Sequence, residues 1–158
     1  MKKIGSRAFY GCESINKIII TDSVREIGDS AFSHCSSIGK IIIPNSVKDI
    51  DSDAFSNCCS LTEVKIPDSI NKLPDYVFRG CISLKEMDIP NSVTSIGRGA
   101  FYDCASLATV KLPFFLQSMP IQNGGYTIVS PFGNCPNLTS LTLNPKAPLR
   151  LLSEGYGF

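Results

Sequence analysis

One segment of this chain returns almost unchanged at intervals of 23 residues. Residues 27–49 read IGDSAFSHCSSIGKIIIPNSVKD, residues 50–72 read IDSDAFSNCCSLTEVKIPDSINK, and residues 73–95 read LPDYVFRGCISLKEMDIPNSVTS. A fixed period of roughly 20–50 residues indicates stacked structural units, because one unit cannot bury its apolar face alone. The sequence therefore predicts a solenoid of consecutive coils.

Six repeats begin at residues 4, 27, 50, 73, 96 and 119. Mostly apolar positions recur in them: an opening isoleucine, leucine or methionine, an Ala-Phe pair, a cysteine, and an L-x-x-L-x-L segment. In the second repeat these positions are Ile27, Ala31, Phe32, Cys35 and the segment 38–43. We expect the side chains of these columns to form one continuous core.

The strand of each repeat is predicted from its alternation. Ile41 and Ile43 alternate with Ile42, which is the two-residue period of a strand. Pro44 should end this strand, because proline cannot donate a ladder hydrogen bond, and Asn45-Ser46 has the composition of a turn. A second short extended piece is expected at 47–50.

The remaining part of the repeat is expected to turn. Gly28, Asp29 and Ser30 are turn residues, and Ala31-Phe32 is expected on a short helical turn. The predicted coil therefore contains little helix.

The sixth repeat departs from the pattern. Its phenylalanine, Phe132, lies thirteen residues after Met119 instead of five, which indicates an insertion of eight residues at about 121–128. We expect residues 1–158 to form a single solenoid domain. Because Ile4 already belongs to a repeat, we also expect the chain to be part of a longer protein.

The motif I-G-x-x-A-F-x-x-C-x-S-L-x-x-I-x-I-P-x-S-V resembles the BspA-like class of leucine-rich repeats, and the resemblance covers about residues 4–143. It implies a right-handed leucine-rich-repeat solenoid with a parallel β-sheet on its concave face and little helix. It also implies a cell-surface or secreted location and a role in adhesion, through binding of host or matrix proteins. Fold alone does not determine function.

Composition excludes several classes of function. A net charge of +1, with scattered lysines and arginines, offers no electrostatic footprint for nucleic acid. No apolar run approaches the roughly 20 residues of a membrane helix, so no membrane insertion is expected of this segment. The chain shows no signal peptide, and a cytoplasmic location stays open. Its oligomeric state is not predicted.

Cysteine and histidine are the residue types that would suggest chemistry. Six of the seven cysteines recur in one column, which predicts a line of buried free thiols and not the clustered pairs of a zinc site. Disulfides between neighbouring cysteines of the column stay open, because one strand spacing is short enough to allow them. Cys59, outside the column, is expected to be exposed and either reactive or paired with another chain. The one histidine, His34, is expected in an exposed turn, pointing away from Cys35. We predict no metal site, no cofactor and no enzymatic activity.

The concave face is the best candidate for binding a protein partner. Its outward side chains are the intervening positions of the L-x-x-L-x-L segments, which carry mixed charges and two adjacent isoleucines. Concave solenoid surfaces commonly bind partners, and an exposed apolar pair flanked by lysines favours a protein contact. The candidate residues on this face are Lys17, Ile19, Lys40, Ile42, Glu63, Lys65, Glu86, Asp88 and Lys111.

A second candidate surface lies near the insertion. Phe114-Phe115 replace the Asp-Ser or Asn-Ser of the four preceding repeats. The favoured interpretation is that they pack beneath the insertion; the alternative is an exposed patch with Tyr126.

The sequence therefore predicts a non-enzymatic protein-binding scaffold, part of a surface or secreted adhesin. One alternative is a carbohydrate-binding module that uses Phe114, Phe115 and Tyr126 for stacking. Another is a structural subunit of an intracellular assembly, since reduced cysteines suit the cytosol.

Overall fold

The computed structural model describes residues 2–119 and 129–143 of the chain. These residues form ten short β-strands and no helix. All strand pairs are parallel. The strands are β1 (Lys3–Ile4), β2 (Glu26–Ile27), β3 (Lys40–Ile42), β4 (Asp49–Ile50), β5 (Glu63–Lys65), β6 (Lys72–Leu73), β7 (Glu86–Asp88), β8 (Ser95–Ile96), β9 (Thr109–Leu112) and β10 (Ser140–Leu143).

The strands are of two kinds, and each pairs with its counterpart in the next coil except at the junction between the third and fourth coils. Two-residue strands lead into each coil, and their register joins Lys3 to Glu26 across a 23-residue interval. Three- and four-residue strands form the concave face, where Lys40 pairs with Glu63 at the same interval. The predicted parallel-strand solenoid is therefore confirmed.

The register changes once, between the last two strands of the concave face. Ser140 pairs with Thr109, an interval of 31 residues. The Phe101 N–H likewise donates to the carbonyl oxygen of Pro131 at 2.8 Å. The shift of eight residues matches the length of the predicted insertion at 121–128, which lies outside the described residues.

The turn at the end of each concave strand follows the proline. The Val47 N–H donates to the Pro44 carbonyl oxygen at 3.0 Å, and the same turn recurs at Pro67 and Pro90. The serine in the equivalent turn of the following coil bonds back to the preceding one, since Ser69 Oγ donates to the Val47 carbonyl oxygen at 2.6 Å. Ser92 Oγ donates in the same way to the Ile70 carbonyl oxygen at 2.7 Å, so the turns of the third and fourth coils are tied to the preceding coil.

The short helical turn predicted at Ala31-Phe32 is wrong. The N–H groups of Ala31 and Ser33 close turns within their own coil, whereas those of Phe32 and His34 donate to carbonyl oxygens of the next coil at 2.8 Å. A helix would need every one of these donors inside its own coil. The backbone instead alternates, with Ser30 at a φ of 52° and His34 at 62°.

The core is one cluster that runs the length of the stack. Its centre is a column of six phenylalanine rings, stacked nearly parallel with centroids 5.2–5.7 Å apart. The rings of Phe32, Phe55, Phe78 and Phe101 are fully buried. The columns predicted from the sequence therefore point inward.

Strand pairing is interrupted at the junction between the third and fourth coils. The short strand β4 does not pair with β6, and the concave strand β5 does not pair with β7. At other junctions, the N–H of the residue after the short strand donates to a carbonyl oxygen of the preceding coil, as the Gly97 N–H does to the Leu73 carbonyl oxygen at 2.7 Å. Pro74 occupies this position in the fourth coil and has no N–H to donate. Only the core and the turns join these two coils, as shown by the Phe55 N–H, 3.0 Å from the Val77 carbonyl oxygen.

The first coil lacks the strand expected at Ile18–Ile20. These residues form no backbone hydrogen bonds with β3, so the concave sheet begins at Lys40 among the described residues.

Candidate functional site

Strand alternation positions the side chains of the concave face. In β3, Ile41 is buried while Lys40 and Ile42 are exposed. The same order holds in β7, where Met87 is buried between exposed Glu86 and Asp88. Every second side chain is therefore presented on a pleated surface.

Register sets which of these side chains are neighbours. Lys40 lies opposite Glu63 and Ile42 opposite Lys65. Asp88 lies opposite Lys111 in the C-terminal part of the face. Register thus brings seven of the nine predicted concave residues together in two groups, separated where β5 and β7 are unpaired. Lys17 and Ile19 lie in the first coil, outside these paired strands.

Two ion pairs cross the strands of this face. Lys40 Nζ lies 2.7 Å from Glu63 Oε1, and Lys111 Nζ lies 3.4 Å from Asp88 Oδ2. All four side chains are more than half exposed, so each pair contributes at most about 1 kcal/mol to stability. Each pair neutralises two opposite charges on the exposed face.

Two isoleucines are the most exposed apolar groups on the concave face. Ile19 is 74% exposed and Ile42 is 52% exposed, and they occupy equivalent positions in the first two coils. Lys17 is also exposed beside Ile19. The fold buries the equivalent neighbours Ile20 and Ile43, so these two side chains are exposed by register and not by lack of a core.

Phe114 and Phe115 stand in the turn column. Their rings meet edge to face with centroids 4.3 Å apart, and Phe115 is 56% exposed. The Phe114 N–H donates to Asn91 Oδ1 at 3.0 Å, which fixes the pair to the preceding turn. The insertion at 121–128 and Tyr126 lie outside the described residues, so packing beneath the insertion remains a prediction.

The cysteine column lies in the core, and all seven cysteines are free thiols. Cys35, Cys58, Cys81 and Cys104 are fully buried. Burial raises the pKa of these thiols, to about 12 for Cys58. A neutral thiol is a poor nucleophile, so this column has the properties of core packing.

Cys59 differs from its prediction. It is half-buried and not exposed, and its Sγ lies 3.4 Å from the Asn57 carbonyl oxygen. The Cys58 side chain is fully buried, and the Cys59 side chain is partly covered. A broadly exposed reactive thiol is therefore absent at this position.

His34 is exposed while Cys35 is buried, so the two side chains point apart as predicted. The His34 ring lies 5.3 Å from the Tyr10 ring, and its Nε2 lies 3.3 Å from Asn57 Nδ2. Within residues 2–119 and 129–143, no cluster of three His, Cys, Asp or Glu side chains could hold a metal ion.

A ladder of tyrosines and arginines was not predicted. The Arg79 guanidinium lies 5.7 Å from the Tyr76 ring centroid and 5.9 Å from that of Tyr102. Arg98 lies 5.3 Å from the same Tyr76 ring. The sequence spacing could have predicted these contacts, since Arg79 and Tyr102 lie 23 residues apart and therefore occupy equivalent turn positions of successive coils.

No helix in the described part of the chain could cross a membrane.

The sequence profile of the BspA type leucine-rich repeat region matches residues 2–124 in six copies. Among curated proteins, none matches the chain by sequence.

Solved structures include several similar folds. A leucine-rich cell surface protein from Faecalibacterium prausnitzii is 30% identical with a TM-score of 0.78, over 91% of this chain and 36% of that one. The leucine-rich repeat protein of T. pallidum is 37% identical with a TM-score of 0.78, over 89% of this chain and 62% of that one. The pneumococcal vaccine antigen PcpA shares the fold at 17% identity, with a TM-score of 0.72 over 87% of this chain and 33% of that one. The chain thus spans less than two thirds of each of these proteins.

Proposed function

The chain belongs to the BspA-type leucine-rich repeat family, and we propose that it is a non-enzymatic protein-binding segment of a cell-surface or secreted adhesin. The location is supported by the Faecalibacterium prausnitzii neighbour, which is described as a cell surface protein, and by PcpA, which is described as a vaccine antigen. The partner would be a host or matrix protein bound on the concave face.

One observation carries this proposal: Ile19 and Ile42 are exposed on a face that buries every second side chain. Leaving two aliphatic side chains at equivalent positions of successive coils in water gives up the roughly 1.5–3 kcal/mol that burial of each would contribute. A partner that covers them recovers part of this free energy. Apolar groups rimmed by charged residues are the usual composition of such a contact.

The scaffold would contribute rigidity. Strand register, stacked phenylalanines and turns tied from coil to coil fix the backbone beneath the concave face. A surface ordered before binding loses little conformational entropy on association. Specificity would then come from the exposed side chains of the face.

A panel of purified extracellular-matrix and serum proteins, immobilised for biolayer interferometry, tests the proposal. We expect at least one of them to bind, and Ile42→Lys to weaken that binding at least tenfold without a change in melting temperature. The matched control is Ile82→Lys, because Ile82 is 46% exposed but lies in a turn outside the concave strands. Equal losses in both variants, or no binding to any protein, would remove the concave face as the site.

A carbohydrate-binding role is the second candidate, and the exposed ring of Phe115 favours it. Aromatic rings stack on the apolar faces of sugars, and the edge-to-face contact with Phe114 holds the ring in place. A glycan array probed with the wild type and Phe115→Ala tests this role. Glycan binding that needs Phe115 would support it, and an array without signal would contradict it.

A further inference from the structure

The N-terminal part of the concave face differs from the rest in both polarity and charge. We propose that it binds an acidic, apolar segment of a protein, meaning a stretch in which leucine-like residues are interspersed with aspartate or glutamate. This inference rests on the proposed function and names the partner class for that face. The residues of this N-terminal patch are Lys17, Ile19, Lys40, Ile42, Glu63 and Lys65.

The apolar requirement comes from Ile19 and Ile42. They are exposed at equivalent positions of the first two coils, which stack with the ring centroids of Phe9 and Phe32 5.2 Å apart. The equivalent positions of the later coils hold charged or hydroxyl side chains instead, namely Lys65, Asp88, Lys111 and Thr142. An apolar side chain of the partner therefore finds a matching surface only at this end of the face.

The acidic requirement comes from the lysines. The patch holds three lysines and one glutamate, a net charge of +2. Lys40 is already paired with Glu63 at 2.7 Å, whereas Lys17 and Lys65 form no ion pair with any residue that the structure describes. These two ammonium groups flank the isoleucines, one in the first coil and one in the third.

The surplus charge is confined to this patch. Further along the same face, Lys85 and Lys111 balance Glu86 and Asp88. A basic segment would be repelled at the N-terminal patch, and complementary charge both speeds association and suppresses wrong partners. A nucleic acid fits poorly, because two unpaired lysines around an apolar pair neutralise too few phosphates.

Three fluorescein-labelled octapeptides test the partner class by fluorescence polarisation. The first alternates leucine and glutamate, the second alternates leucine and lysine, and the third alternates serine and glutamate. We expect the leucine–glutamate peptide to bind at least tenfold more tightly than either other peptide. Its affinity should fall at high salt, because screening weakens exposed charge pairs.

Variants locate the binding. Ile42→Ser and Lys65→Ser should each weaken binding of the leucine–glutamate peptide at least threefold. The matched controls, Ile82→Ser in a turn and Lys72→Ser in β6, should leave it unchanged. Melting temperatures of all four variants show whether they remain folded.

Several outcomes would overturn the inference: no binding of the leucine–glutamate peptide, equal binding of the lysine or serine peptide, or equal losses in the controls. These results are separable from failure of the proposed function. A matrix protein that binds through Ile42 while the leucine–glutamate peptide does not would keep the concave face as the site and discard the acidic partner.

Discussion

Cys81 Sγ donates a hydrogen bond to the carbonyl oxygen of Phe55 in the preceding coil, at 3.3 Å. The same contact joins each fully buried cysteine to the phenylalanine 26 residues before it: Cys35 to Phe9, Cys58 to Phe32, and Cys104 to Phe78. The cysteine column is therefore both a set of small core side chains and a set of donors that satisfy carbonyl groups between coils.

This arrangement predicts a loss of stability in alkaline solution. Burial raises the thiol pKa of Cys81 well above its ordinary value of about 8.5, so the folded protein keeps a proton that the unfolded chain releases. Stability is thus fully present below about pH 8.5 and falls as pH rises above it. Each such thiol adds a slope of up to about 1.4 kcal/mol per pH unit.

Urea unfolding of the wild type and Cys81→Ala between pH 7 and 10.5 measures this slope. We expect the free energy of unfolding to fall less steeply in Cys81→Ala. The matched control is Val77→Ala, another fully buried small truncation, which carries no titrating group and should keep the wild-type slope. Identical slopes in all three proteins would contradict the buried-thiol assignment.

Truncating a phenylalanine of the column should lower the free energy of unfolding more where the ring is more deeply buried. Phe55→Ala removes a fully buried ring stacked between two others and should cost about 3–5 kcal/mol. Phe9→Ala should cost clearly less, since Phe9 is 39% exposed and stacks on one ring only among the described residues. Urea denaturation of both variants gives the comparison, and similar costs would be inconsistent with the stack.

Pro74 offers a test of the junction between the third and fourth coils. Pro74→Ala restores an N–H that can donate to the Ile50 carbonyl oxygen, as the Gly97 N–H does to Leu73. The net change in stability should be within about 1 kcal/mol, because a hydrogen bond worth about 0.5–1.5 kcal/mol offsets the lost stiffness of proline. Hydrogen exchange should find the new amide protected. Rapid exchange at residue 74 would mean that something other than the missing donor keeps these strands apart.

The repeat made the inward columns predictable, since Phe32, Phe55 and Phe78 recur at a fixed interval and a solenoid places equivalent residues side by side. The exposure of Lys40 and Ile42 followed from strand alternation in the same way. Periodicity is the reason for this success, because each repeat confirms the assignment of the others.

The features that could not be predicted include which coil holds the acceptor of each backbone N–H. The N–H groups of Ala31 and Phe32 go to different coils, a detail that local composition does not specify. The half-burial of Cys59 likewise depends on the local path of its turn, where its Sγ meets the Asn57 carbonyl oxygen. Pro74 did carry a readable signal, since a proline at a position occupied by glycine in three other repeats removes a donor.

The free-thiol count tests most directly whether the repeating columns point into one core. The protein, kept without reductant, is treated with a chromogenic disulfide reagent before and after unfolding in guanidinium. We expect Cys35, Cys58, Cys81 and Cys104 to stay unreactive in the native protein, with only the three half-buried cysteines accessible. All seven thiols should then react after unfolding. Rapid reaction of more than three thiols in the native state, or fewer than seven after unfolding, would contradict a buried column of free thiols.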